Sequence, residues 1–246
     1  MVVGKLENFD WANAKDYCGL IVQNPDNFGN VKDYTSLAAK LQESQMIFTI
    51  VADILSLNLI KSPGEMGADI ACGSAQRMGI PMGYGGPHPG YFAALEKHRR
   101  RMPGRIIGIS KDAHGNQAFR MTLQTREQHI RRDRATSNIC TAQALLANMA
   151  SFYMQWHGPA GLKKIATRVR FMAQIFMEEL EPYGIVFLTD RKHYFDTISI
   201  DAKKSGFPSA DFLLAQFHKF GINVRKINDS AVSLSFDELT NLYDLD

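Results

Sequence analysis

The sequence has little cysteine, no long hydrophobic run and little net charge. Its three cysteines, Cys18, Cys72 and Cys140, are far apart and form no C-x-x-C pair, which argues against a disulfide framework or a zinc knuckle and for reduced thiols. No apolar stretch approaches the roughly 18 to 20 residues that span a bilayer. We therefore expect a soluble protein of a reducing compartment, with no membrane partner and no metal site.

The charge balance gives little support to a nucleic-acid partner. A formal charge of +3 and a pI near 8.7 are mild, because acidic residues are spread between the basic ones. The most basic run, Lys97 to Arg101, is not accompanied by the aromatic side chains on which bases stack. We interpret it as an exposed helix end and predict no nucleic-acid binding.

The composition is otherwise that of an ordinary globular chain. The 246 residues are 45% hydrophobic and 22% charged, so general disorder is not the default expectation. The sequence contains neither an internal repeat nor a low-complexity tract. Its first residues lack the apolar core of a secretory signal and the pattern of a transit peptide, and they do not look like a natural start.

Short apolar runs alternate with helical patterns in the first part of the chain. The predicted elements are strands at 19–23, 46–51 and 68–72 and helices at 33–43 and 55–60. Such alternation predicts a parallel sheet with helices on its faces, whose ligands bind at the carboxyl ends of the strands. Asp53 and the loop at 73–90 would both lie at that edge.

The rest of the chain predicts a hairpin beside the active cleft, two helices and a small α+β unit. The predicted elements are strands at 105–110 and 119–123, helices from about 136 to 157 and at 162–181, and then strands at 185–188, 195–201, 222–227 and 231–236 with a helix at 208–220. The segment Gly158-Pro-Ala-Gly161 separates the two long helices. We place a domain boundary there.

Three segments of the sequence resemble one known family. They run from Gly67 to His88, from Met102 to Arg105 and from Gln124 to Asn148. In them the chain resembles the P-protein of the glycine cleavage system, and more narrowly the N-terminal half of that family, which in some organisms is a separate subunit. The resemblance covers nearly the whole chain and weakens after about residue 185.

The resemblance implies the aspartate-aminotransferase type of fold, which is fold type I of the pyridoxal-phosphate enzymes. Residues 1–157 would be the C-terminal portion of the large α/β domain, and residues 158–246 would be an incomplete small α+β domain. Such a fragment exposes a sheet edge and apolar surface that a whole half would bury. We therefore expect poor stability in isolation.

The resemblance also implies that this half lacks the residue that binds the cofactor. The homologous half holds pyridoxal 5'-phosphate as a Schiff base on a lysine, and alignment of the glycine runs puts Gln76 at that place. An amide nitrogen is not nucleophilic and forms no imine. We expect no covalently bound cofactor on this chain and assign no catalytic residue to it.

The family reaction decarboxylates glycine and passes the aminomethyl group to the lipoyl arm of H-protein. The implied activity is that of glycine dehydrogenase (decarboxylating), an oxidoreductase, and this half would support the active site of a lysine-bearing half. The implied partners are that half, on the same chain or on a separate subunit, together with H-protein and glycine. The family is mitochondrial in eukaryotes and cytoplasmic in bacteria.

A glycine-rich loop carries the residues that the resemblance assigns to the cofactor of the partner half. Gly85 and Gly86 would offer backbone N–H groups to its phosphate, since glycine permits positive φ and oriented amides bind anions. His88 would face the pyridine ring or the lipoyl entrance. The alternatives are a plain tight turn and a structural, hydrogen-bonded histidine.

The candidate substrate or tunnel residues lie in the third segment and are Arg126, His129, Arg131 and Asn138. Guanidinium groups suit carboxylates and phosphates, and a helix beginning at 136–138 would add its positive end. The alternative is a solvated, salt-bridged surface. Asp53 stands where the fold type places the aspartate that pairs with the pyridinium nitrogen, and here we expect a helix cap or an ion-pair partner.

Two other interpretations of the chain stay open. The chain is a dimerisation scaffold without a part in the chemistry, or it is an independent pyridoxal-phosphate enzyme that uses Lys61 or Lys111. Apolar residues at helical spacing, which would form core or a subunit interface in either case, are Leu145, Leu146, Met149, Phe152 and Tyr153.

Overall fold

The computed structural model describes residues 1–102, 105–122, 127–135 and 143–245. The strands in this part are β1 (Gly19–Asn24), β2 (Ile47–Ala52), β3 (Ile70–Ser74), β4 (Gly90–Ala94), β5 (Ile106–Lys111), β6 (Gln117–Thr122), β7 (Thr197–Asp201), β8 (Arg225–Asn228) and β9 (Ala231–Ser235). The α-helices are α1 (Thr35–Glu43), α2 (Gln128–Arg131), α3 (Ala144–Leu180) and α4 (Ala210–Lys219). Short 3₁₀ helices lie at Leu6–Asn8, Trp11–Asp16, Ser56–Asn58, Glu96–Arg101, Arg132–Arg134, Glu181–Tyr183 and Leu242–Asp244.

The first sheet has the strand order β1-β2-β3-β4. The first three strands run parallel, as predicted, and β4 is antiparallel to β3. The strands predicted at 19–23, 46–51 and 68–72 correspond to β1, β2 and β3, and the first predicted helix corresponds to α1. β4 was not predicted, and the helix predicted at 55–60 is reduced to the 3₁₀ helix Ser56–Asn58.

β5 and β6 form the predicted antiparallel hairpin, which is a sheet of its own. Arg105 precedes β5 and donates two hydrogen bonds, of 3.0 and 2.9 Å, to Oε2 of Glu127. Glu127 immediately precedes α2, and its side chain is buried. This ion pair therefore ties the base of the hairpin to α2.

The long helix α3 is interrupted where the sequence predicts the break. Gly158 has φ 61° and ψ 179°, which is outside the helical region, and Pro159 follows it. Proline suits the first position of a new helix, because it has no N–H group to leave unpaired there. The two parts of α3 match the two predicted helices, although residues 136–142 lie outside the described part of the chain.

The third sheet has the order β7-β9-β8 and is antiparallel throughout. α4 packs on it through Leu213, and Ser209 caps this helix by accepting the N–H of Phe212 at 3.2 Å. The strand predicted at 185–188 is wrong, because Phe187 forms only an isolated bridge with Ile200. The other predicted elements of this region are present as β7, α4, β8 and β9.

The main hydrophobic cluster contains residues from both sides of the predicted boundary at Gly158. Leu55 and Met78 pack in it with Val169 of α3 and with Phe195 near β7. The two parts of the chain thus share a core, and the division into two domains stays a prediction. No helix in the described part of the chain is long and apolar enough to cross a bilayer.

Candidate functional site

A cavity of about 350 Å³ lies where the carboxyl ends of β1, β2 and β3 meet one end of the third sheet. Asp53, directly after β2, and Ser74, the last residue of β3, line it from the first sheet. Asp196, Arg225 and Ser235 line it from the third sheet. This is the edge at which the sequence predicted a ligand site.

Gln76 lies in this cavity, two residues after β3. Its backbone N–H donates to Oγ of Ser74 at 3.2 Å, and its side-chain amide donates to the carbonyl of Ile80 at 2.5 Å. The predicted strand exit is therefore part of the cavity wall. The side chain of Gln76 is an amide, and its hydrogen bond to Ile80 holds it against the turn that follows.

Asp53 is an ion-pair partner, one of the two roles predicted for it. Its Oδ1 accepts the N–H of Ser56, the first residue of the 3₁₀ helix that follows β2, at 2.9 Å, although the N-cap position of that helix is Leu55. Its Oδ2 accepts a hydrogen bond from Nη1 of Arg77 at 2.9 Å. Both carboxylate oxygens are thus bonded within the chain.

Arg77 is the centre of a charged cluster in the cavity wall. Its Nη1 also contacts Oδ2 of Asp196, and its Nη2 donates to the carbonyl of Phe236 at 3.2 Å. The guanidinium carbon lies 5.4 Å from the ring centroid of Phe195, a distance at which a cation is attracted to an aromatic face. Arg77 therefore links the edge of the first sheet to the third sheet.

The cluster places two carboxylates around one guanidinium. Burial raises the pKa of Asp196, and the charge of Asp53 adds to this effect against the opposing guanidinium of Arg77. Burial disfavours the charged form of Arg77, but the carboxylates of Asp196 and Asp53 outweigh it and raise its pKa. Arg77 is therefore a permanent cation.

Tyr91 of β4 contacts two residues that line the cavity, Gly73 and Ala52. It pairs with Gly73 across the sheet, and its hydroxyl donates to the carbonyl of Ala52 at 2.8 Å. Burial raises the pKa of Tyr91 to about 12, so the hydroxyl keeps its proton. A Cβ atom at position 73 would lie 2.4 Å from the oxygen of Ala52, and so only glycine fits there.

The sequence did not identify Arg77, Asp196 or Tyr91 as functional residues. The available signal for Arg77 was its position beside Gln76 at the strand exit. Asp196 stands just before β7, and nothing local in the sequence connects it with Arg77. Tyr91 was missed together with β4.

The glycine-rich loop forms a closed turn in this chain. The N–H groups of Gly85 and Gly86 both donate to the carbonyl of Met82 at 3.0 Å, and Nε2 of His88 lies 3.0 Å from the same oxygen. The glycines have φ of 108° and 126°, the positive values that the predicted role requires. Neither glycine nor His88 lines the cavity described above, and their contact with the cofactor of a partner half stays a prediction.

The predicted substrate or tunnel residues fall into two groups. His129 and Arg131 are exposed on α2 and do not line the cavity. Arg126 and Asn138 lie outside the described residues. A shared wall with a partner half therefore stays a prediction for all four.

The three lysines that the sequence analysis considered, Lys61, Lys97 and Lys111, do not line the cavity. Lys97 belongs to the 3₁₀ helix Glu96–Arg101 and pairs with Asp69 at 2.5 Å. Lys61 donates to Oγ1 of Thr35 at 2.6 Å, and Lys111 ends β5 in the hairpin. Neither Lys61 nor Lys111 is placed to bind a cofactor in this cavity, which counts against an independent pyridoxal-phosphate enzyme.

The residues of this cavity do not fit pyridoxal phosphate. The cofactor requires a lysine amine for its Schiff base and a charged partner for its ring nitrogen. Gln76 supplies no amine, and both oxygens of Asp53 already accept hydrogen bonds from this chain. Within the described residues, no group of three His, Cys, Asp or Glu side chains could hold a metal ion.

Comparison with known proteins identifies relatives along the whole chain. The family model of the glycine cleavage system P-protein matches residues 1–246. A glycine dehydrogenase (decarboxylating) of Photobacterium profundum is 47% identical over 246 residues, which are all of this chain and 25% of that protein. A Schizosaccharomyces pombe protein named as the mitochondrial form is 50% identical over 226 residues, 92% of this chain and 21% of its own length. The chain thus spans about a quarter of the length of the curated relatives it matches.

Solved structures confirm the predicted fold class. The inhibitor-bound crystal structure of glycine decarboxylase (P-protein) is 32% identical, with a TM-score of 0.84, and the match covers 94% of this chain and 53% of that one. A cysteine desulfurase of Thermococcus onnurineus (16% identity, TM-score 0.63, 97% of this chain and 60% of that one) and an aspartate aminotransferase of Thermus thermophilus (14%, 0.60, 96% and 64%) share the fold alone. The fold is therefore fold type I of the pyridoxal-phosphate enzymes. Since the family model matches the chain from its first residue to its last, the chain belongs to the glycine cleavage system P-protein family.

Proposed function

We propose that this chain is part of a glycine dehydrogenase (decarboxylating) and forms the half that lacks the cofactor lysine. The family match over residues 1–246 supports the activity. The observation that carries the assignment to the non-lysine half is Gln76, whose amide stands at the strand exit in the cavity wall. Because the chain is 25% of the length of the Photobacterium relative, the activity belongs to an assembly with the lysine-bearing half.

Pyridoxal 5'-phosphate on the lysine-bearing half would supply the electron sink for the decarboxylation of glycine. The residues of this chain would help to bind and orient that cofactor, which the lysine-bearing half holds. Gly85 and Gly86 would donate to the phosphate of that cofactor, for which their N–H groups must leave the carbonyl of Met82. His88 shares that acceptor and would turn toward the ring or the lipoyl entrance with them.

The candidate tunnel residues would form a wall shared with the partner half. Glycine and the lipoyl arm of H-protein would enter along Arg126, His129, Arg131 and Asn138. The Schizosaccharomyces pombe relative supports a mitochondrial location if the source is eukaryotic. In a bacterium the location would be the cytoplasm.

The proposal is tested by co-purifying the chain with the lysine-bearing half and assaying glycine-dependent exchange of carbon dioxide with and without it. We expect the exchange to depend on this chain. Exchange at the same rate without the chain would contradict a supporting role.

Two pairs of variants locate the contribution within the chain. Gly86→Val should weaken cofactor binding by the assembly, whereas Gly115→Val, at a glycine that also has positive φ, controls for backbone strain. Arg131→Ala should lower glycine turnover, whereas Arg100→Ala, another exposed arginine, should not.

A dimerisation scaffold is the second candidate, and the surface of α3 favours it. Leu145, Phe152 and Trp156 are 66%, 68% and 86% exposed. If Gly86→Val and Arg131→Ala leave both turnover and cofactor affinity unchanged while the two halves still assemble, the chain serves as a scaffold.

A further inference from the structure

In the cluster around Arg77, two carboxylates of the cavity wall, those of Asp53 and Asp196, have a counter-charge from within the chain. Asp53 is bonded through both oxygens, and Asp196 contacts the same guanidinium. Asp196 is 8% exposed. Removal of the partner of a buried ion is strongly unfavourable, and so the two carboxylates hold Arg77 in place.

A pyridoxal-phosphate ring would need a carboxylate partner, and Arg77 already pairs with the one at the end of β2. The protonated ring nitrogen is stabilised by a carboxylate partner, and the carboxylate at the carboxyl end of β2 is Asp53. A guanidinium is always charged, and that of Arg77 donates to Asp53 at 2.9 Å. A cofactor entering the cavity would bring a second cation to a carboxylate that already has one.

We propose that Arg77 is a built-in replacement for the cofactor cation, and that it excludes pyridoxal phosphate from this half independently of the missing lysine. Gln76 cannot form the covalent bond to the cofactor. Arg77 occupies the carboxylate of Asp53, with which the ring nitrogen of the cofactor would otherwise pair. The same side chain joins the first sheet to the third through Asp196 and the carbonyl of Phe236. This exclusion concerns the chain's own cavity and stands whether or not the chain supports the chemistry of a partner half.

The experiment restores the lysine with and without Arg77. Gln76→Lys alone is compared with Gln76→Lys/Arg77→Met in the full chain, co-expressed with the lysine-bearing half and incubated with pyridoxal 5'-phosphate. Condensation of the lysine amine with the aldehyde releases water, and borohydride then reduces the imine to a stable amine. Peptide mass spectrometry counts the label at residue 76, so that the readout requires neither activity nor assembly.

Gln76→Lys alone should carry only background label at residue 76. The double variant should carry at least about tenfold more, because tenfold corresponds to about 1.4 kcal/mol, less than a buried uncompensated charge contributes. Gln76→Lys/Arg225→Met is the matched control, since Arg225 lines the same cavity and is exposed. It should remain at background.

Each other result overturns the proposal. Label at residue 76 in Gln76→Lys alone would show that Arg77 does not exclude the cofactor. Equal label in the Arg225 control would show a general effect of charge, and background label in every variant would show that another feature excludes the cofactor. Arg77→Gln, which keeps a hydrogen-bond donor without the charge, replaces the methionine variant if thermal unfolding shows that the latter is not folded.

Discussion

Asp196 is a buried carboxylate that shares one guanidinium with Asp53. Burial raises its pKa in the folded chain above the value of about 3.9 that an unfolded aspartate has. Between these two values the folded chain binds the proton more tightly than the unfolded chain. Its contribution to stability is therefore fully present below about pH 3.9 and is lost as the pH rises through the folded value.

We expect Asp196→Asn to abolish this part of the pH dependence. Relative to the variant, the native chain should lose free energy of unfolding as the pH rises above about 4. Exposed carboxylates with a lowered pKa, such as Asp33 and Asp190, are common to both proteins and cancel in the difference. Denaturant unfolding of both chains at a series of pH values measures it, and a difference that does not vary with pH would refute the assignment.

At the scale of single residues, the sequence predicts where a residue lies more readily than which residue it contacts. Asp53 and Gln76 were found because each follows a strand, and their location at one edge of the sheet follows from the parallel order. The contact between Arg77 and Asp196 joins residues 119 positions apart. Only the folded arrangement of two sheets brings them together.

The break in α3 is the feature of a single element that the sequence predicted best. Gly158 combines positive φ with a fully extended ψ, a combination that is essentially restricted to glycine. Pro159 requires a new helix start beside it. Two adjacent residues with strong backbone preferences were enough to locate this break.

We expect Gly158→Ala to destabilise the chain by roughly 1 to 3 kcal/mol, the usual cost of a strained backbone conformation. No heavy atom lies within 4 Å of a Cβ at this position, and so the cost would be conformational. Gly64→Ala is the matched control, because that Cβ also has open space and its φ is not in the left-handed region. Thermal unfolding compares the two, and equal melting temperatures would contradict the backbone explanation.

Misleading local signals account for the strand that the sequence did not predict, β4, and for the strand that it predicted wrongly, 185–188. Gly90–Ala94 begins with glycine, ends with two alanines and follows a loop rich in glycine and proline, yet it pairs with β3 along its whole length. The segment 185–188 has a run of apolar residues, yet its pairing is limited to the bridge between Phe187 and Ile200. In both cases the neighbouring strand decides the outcome, as is usual for sheets.

At the scale of the molecule, the architecture follows from the order of elements and from a shared core. Alternating strands and helices predicted the parallel sheet, and the family resemblance supplied the fold type. The order of elements is not enough to predict the cavity between the first and third sheets. The cavity depends on how the hydrophobic cluster around α3 packs the two sheets against each other. The surfaces that such a chain leaves uncovered indicate where it contacts other parts of an assembly.

The exposed face of α3 provides a direct test of such a contact. The sequence contains two tryptophans, of which Trp156 is 86% exposed and Trp11 is 36% exposed and lies 4.9 Å from the ring of Phe9. Large exposed apolar patches mark sites of association. In Trp11→Phe, where Trp156 is the one tryptophan left in this chain, we expect the lysine-bearing half to shift its emission to shorter wavelength and to protect it from a soluble quencher.

A second measurement relates that signal to binding energy. Trp156→Ala should weaken association of the two halves by about 2 kcal/mol, because buried aromatic anchors dominate interfaces. Phe220→Ala is the control, since Phe220 is 81% exposed at the end of α4. If the emission of Trp156 stays unchanged while the halves associate, the face of α3 is not their interface, and the scaffold interpretation loses the observation that favours it.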